Sequence, residues 1–120
     1  MSTNLISATE LDLLTFFEME PIRTDPDVEW PYNDFLYEIQ CGDKHLAFSV
    51  APSYKDLSIK IQSGGTPVFE LVAMDVSDVR YHGEKSDERL EIVISGRERL
   101  WLRIKPSISI SQFLGREDAR

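Results

Sequence analysis

From Phe35 to Ile110 apolar and polar residues alternate with a period of two, in runs separated by only a few residues. Side chains of a strand point to opposite faces in turn, so such runs are strands with one dry and one wet face. Phe35, Tyr37, Ile39 and Cys41 alternate with Leu36, Glu38 and Gln40. After a Gly42-Asp43 turn come Leu46, Phe48 and Val50, and then Leu57, Ile59 and Ile61. Gly64-Gly65 turns the chain into Val68–Val72, Val76–Tyr81 gives a weaker run, and Leu90, Ile92 and Ile94 resume the rhythm. Beyond Ser95-Gly96-Arg97-Glu98 stand Leu100, Leu102 and Ile104, with Ile108 and Ile110 as a last short strand. Parallel neighbours need a crossover of about a dozen residues or more, so links this short predict antiparallel hairpins.

Ahead of the strands the spacing is helical. Leu11, Leu14 and Phe17 or Glu18 share one face, which Leu13 and Phe16 widen. Ser7 to Glu10 matches a capping box, and Thr9 to Asp12 is a second one with Asp in place of Glu. Pro21 stops the helix, because the residue before a proline is driven out of helical conformation. The chain therefore reads as one domain over 1–120: helix 7–20, acidic proline-bearing loop 21–34, antiparallel β meander 35–111 and tail 112–120. The expected class is α+β, mainly antiparallel β. Its N-terminal amphipathic helix packs on a bent sheet, a sandwich or a partial barrel of seven to eight strands.

Charge is concentrated at one end of this plan. The 120 residues carry a net −8, but residues 1–43 hold ten acids against Arg23 alone, a net of −9, and residues 44–120 are nearly neutral at +1. Such acidity weighs against gripping a nucleic-acid backbone, which takes clustered cations. No stretch approaches the ~20 apolar residues of a membrane span. A single cysteine and the lack of a basic, then apolar, leader predict the cytoplasm.

Cys41 and His45 lie four apart across a hairpin turn, so a thiol–imidazole pair is conceivable, although a lone cysteine ending a strand usually acts as a small hydrophobe. His45 and His82 have no second ligand at metal-binding spacing. Asp25, Asp27 and Glu29 resemble half a calcium loop, but the turn glycine and the late glutamate are missing. Phosphate loops, nucleophile elbows and dinucleotide fingerprints are absent from the sequence. The expectation is no catalytic residue, no metal and no cofactor.

Two segments point to binding instead. Trp30 and Tyr32 stand among Asp25, Asp27, Glu29 and Asp34, where rigid aromatics ringed by charge suit a basic protein partner, unless an aromatic anchors the loop to the core. Arg99, Trp101, Arg103 and Lys105 form an outward basic stripe that could stack nucleic-acid bases, meet the molecule's own acids or meet a second copy. In size, charge and the run from Asp25 to Asp34, the chain resembles small acidic bacterial toxin-immunity proteins. That resemblance implies an inhibitor that occludes a basic surface on its partner. Two other readings stand beside it: an oligomer-forming subunit using sheet edges or the Trp101 face, and an enzyme without a recognisable motif.

Overall fold

The computed structural model describes residues 5–30, 32–84 and 87–115. It is mostly antiparallel β, in two sheets, with one short helix. The helix α1 spans Glu10–Phe17. A five-stranded sheet follows, in the order β1 (Ile22–Arg23), β2 (Phe35–Cys41), β3 (Lys44–Ala51), β4 (Asp56–Ser63) and β5 (Thr66–Ala73). A four-stranded sheet contains β6 (Asp78–Glu84), β7 (Asp87–Ser95), β8 (Glu98–Arg103) and β9 (Ser109–Leu114). Both sheets are open, so neither closes into a barrel.

The alternation resolves as expected on the central strands. Tyr37, Leu46, Phe48, Ile59, Leu90, Ile92, Leu100 and Leu102 are fully or almost fully buried and belong to one continuous core. The helix contributes Leu13, Phe16 and Phe17 to that core. Phe17 stacks on Tyr37 at 4.3 Å between ring centroids and tilts against Phe48, while Phe16 meets Tyr81 edge-on. One short helix thus touches rings from both sheets. Eight residues are too few to hold a helix in water, so these contacts, at ~2 kcal/mol per large apolar side chain buried, are what maintain it.

Several boundaries differ from the sequence-based plan. The helix begins at Glu10, capped by Thr9, where the Thr9–Asp12 pair makes the capping box, since Ser7 is taken by Asp78. It ends at Phe17, and its C-cap Glu18 turns left-handed (φ 58°) with its amide donating to the Leu14 carbonyl. The stretch 21–34 is not wholly irregular, because Ile22 and Arg23 pair with Leu36 and Phe35. Among the described residues nine strands stand where seven to eight were expected. Val76 lies in the link between sheets and β6 begins at Asp78, after a left-handed Asp75. The tail expected from 112 is strand as far as Leu114, paired with β8, and residues 116–120 lie outside the described residues.

Candidate binding surface

The acidic loop is organised by Asn33, which carries no sequence signal beyond that of a turn residue. Asn33 is 4% exposed, and its side chain makes four hydrogen bonds to loop backbone. Its Oδ1 accepts from the amides of Asp25 (3.2 Å) and Asp34 (2.9 Å), and its Nδ2 donates to the carbonyls of Asp25 (2.5 Å) and Val28 (2.8 Å). A buried amide with every strong site satisfied fixes a loop that has no strand partner of its own. Asp25 also accepts from the Asp27 amide at 3.1 Å, and the Thr24 amide donates to the Asp34 carbonyl.

On this scaffold Asp25, Asp27, Glu29 and Asp34 are all exposed, and none has an ion pair among the described residues. Trp30 and Tyr32 do not form a joint aromatic patch. Trp30 is half-buried, with its ring 4.8 Å from Phe35, so it anchors the loop to the core. Tyr32 is 70% exposed. Pro31 lies outside the described residues. The half-calcium-loop acids do not converge: among the described residues no three acidic, imidazole or thiol groups sit as a metal would need.

Strand parity separates the imagined thiol–imidazole pair. Cys41 pairs with Lys44 and packs against the core, whereas His45 pairs with Gln40 on the opposite, outer face. There His45 Nδ1 lies 3.3 Å from Gln40 Oε1, and Nε2 lies 3.9 Å from Glu38. A thiol and an imidazole on opposite faces of one sheet cannot exchange a proton.

The basic stripe is real but largely answered from within. Arg99, Trp101 and Arg103 point outward from β8, while Lys105 lies past the strand and pairs with Glu18. Glu91, on the outer face of β7, is only 3% exposed because cations close over it. Arg99 donates to Glu91 at 3.0 Å, His82 Nε2 lies 2.9 Å away, and Arg80 lies 3.8 Å away. Arg103 donates to Asp87 at 2.8 Å, and Arg89 stacks 4.6 Å over Trp101. Alternation assigned Glu91 to the wet face and gave no sign that its neighbours would cover it.

A second carboxylate ties the helix entrance to this sheet. Asp78 accepts from the Ser7 amide (2.7 Å) and hydroxyl (2.6 Å), from its neighbour Val79, and from Arg80 (3.1 Å). Partial burial alone would raise its pKa, but these hydrogen bonds outweigh that and hold the carboxyl below its usual range. Tyr37, buried near Glu10 and Glu20, has its phenol pushed well above the ordinary value, first by desolvation and then by those charges.

Neither a family model nor a curated protein matches this chain. Its fold is similar to that of a solved chain from a contact-dependent growth inhibition toxin–immunity protein complex of Klebsiella pneumoniae 342. The TM-score is 0.72 at 20% identity, and the match covers 92% of this chain and 97% of that one. No helix among the described residues is long and apolar enough to cross a membrane.

Proposed function

We propose that this chain is a small acidic protein-binding module of the immunity type, which occludes a basic surface on a toxin partner. The observation that carries the reading is the fold shared almost end to end with a chain from a toxin–immunity complex. Charge supports the immunity side of such a pair. Asp25, Asp27, Glu29 and Asp34 are exposed on a loop that Asn33 holds in one shape, with Tyr32 beside them. Carboxylates without internal counter-ions steer a cationic partner and add little to the fold itself. The expected setting is the cytoplasm of a bacterium.

Co-production with the protein encoded by the adjacent gene, read out as binding and as protection from its toxicity, tests the reading. The wild-type protein should bind that product and protect cells that produce it. Replacing the four acids together (Asp25→Asn, Asp27→Asn, Glu29→Gln, Asp34→Asn) should slow association roughly tenfold at low salt and flatten its salt dependence. A wild-type protein that neither binds nor protects would sink the immunity reading. A quadruple variant that associates at the wild-type rate would remove the loop from it.

A further inference from the structure

The outer face of the five-stranded sheet holds a trough that adjoins the acidic loop at Asp34. Its floor is made of small side chains on the two central strands, Ala47, Ser49 and Ser58. Leu36 forms one wall, and Val72 with Met74 forms the other. Register produces this shape: Leu36, Ser49, Ser58 and Val72 pair in one row across four strands, and Ile22 extends the row onto β1. Two hollows of about 520 and 370 Å³ share Leu36 and Ser58, so the depression runs along the strands. From β2 to β5 is three strand spacings, ~14 Å, which leaves room for one segment of another chain.

The lining is both apolar and anionic. Val72 and Met74 are 69% and 70% exposed, large apolar groups left in water. Asp34 and Asp56 line the same end of the trough, and neither has an ion pair among the described residues. Asp56 Oδ1 accepts from the Asp75 amide at 2.9 Å, which holds it in place and leaves its charge uncompensated. The one lysine along the floor, Lys60, lies 3.6 Å from Glu70.

We infer that this trough seats a lysine- or arginine-bearing segment of a protein partner. The aliphatic stems lie against Leu36, Val72 and Met74, and the cationic heads reach Asp34 and Asp56. Long basic side chains need both kinds of surface, an apolar wall for the methylenes and an anion for the tip. A second copy of this chain is a poor occupant, since each copy carries a net −8. The inference rests on the binding-module reading and adds to it the surface and the partner's chemistry.

A synthetic heptapeptide of alternating lysine and leucine, titrated into 15N-labelled protein, tests this directly, with a glutamate–leucine peptide as its counterpart. The lysine peptide should shift the amides of Leu36, Ser49, Ser58 and Val72, and the glutamate peptide should not. Ser58→Arg places bulk and positive charge on the floor, so it should weaken the lysine peptide roughly tenfold, while Ser58→Ala stays within about twofold. The amide spectrum of each variant reports whether it is folded. Shifts confined to residues 25–33 overturn the trough and leave the acidic-loop reading standing. Equal shifts from both peptides, or none from either, also overturn it. If the lysine peptide binds as expected while the product of the adjacent gene does not, the trough stands and the immunity reading falls.

Discussion

On the outer face of the four-stranded sheet, charge is met by charge. Glu91 is covered by Arg99, Arg80 and His82, Asp87 holds Arg103, and Trp101 carries Arg89 on its ring. On the outer face of the five-stranded sheet, by contrast, small residues leave a hollow with Asp34 and Asp56 at one end, and the loop beside it holds three more acids that have no ion pair among the described residues. The first face is closed by its own side chains, and its polar groups serve the fold. The second pairs Lys60 with Glu70 and His45 with Glu38, but at its open end Asp34 and Asp56 have no ion pair among the described residues. Net charge alone would not separate the two, because a buried, paired carboxylate and a solvated one count equally in the sum.

The contrast between the two faces rests on particular residues. The largest effect belongs to Glu91. Glu91→Ala leaves Arg99 and its neighbours without their buried counter-charge, so denaturant unfolding should show a loss of roughly 3 kcal/mol. A loss below about 1 kcal/mol would mean that this face is as open as the other. Asn33→Ala comes next. It strips four hydrogen bonds from the loop backbone and should cost about 2 kcal/mol, with faster amide exchange at Asp25 and Asp34, whose N–H groups donate to the Asn33 Oδ1.

Asp78 gives a smaller effect with a pH signature. Its carboxyl is held below the unfolded value, so its contribution is fully present above pH ~4 and is lost as pH falls through the lowered native value. Asp78→Asn should therefore reduce stability at neutral pH and make the acid limb of the unfolding curve shallower. An unchanged acid limb would show that the Ser7 contacts do not bind the helix entrance to β6. Smallest of all is Ser49→Ala on the open face. The Ser49 and Ser58 hydroxyls are 2.7 Å apart, and removing one should cost under about 1 kcal/mol in thermal unfolding because water replaces it. A larger loss would make the trough floor part of the scaffold.

Much of the architecture was legible beforehand because strand parity is local. Tyr37, Phe48, Ile59 and Leu102 face the core, as alternation required, and the two serines opposite each other on β3 and β4 follow from the same rule. What escaped the pattern has nonlocal causes. Glu18 takes a left-handed conformation that glycine usually fills, so nothing in the sequence placed the helix end there. The pairing of Ile22 and Arg23 with β2 is too short to leave a period. Asn33 looks like an ordinary turn residue, and its role appears only when the chain returns to Asp25 and Val28. Of the loop residues singled out for binding, the four acids and Tyr32 are exposed, while Trp30 turned inward to Phe35.

By itself the sequence determined the strand alternation, the capping signal near Thr9 and the concentration of acids before residue 43, because each depends only on neighbours along the chain. Only the tertiary structure decided which of those charges remain unpaired. Whether a carboxylate meets a cation is set by which strands lie side by side, and that register buried Glu91 beneath arginines while it left Asp34 and Asp56 in an open trough.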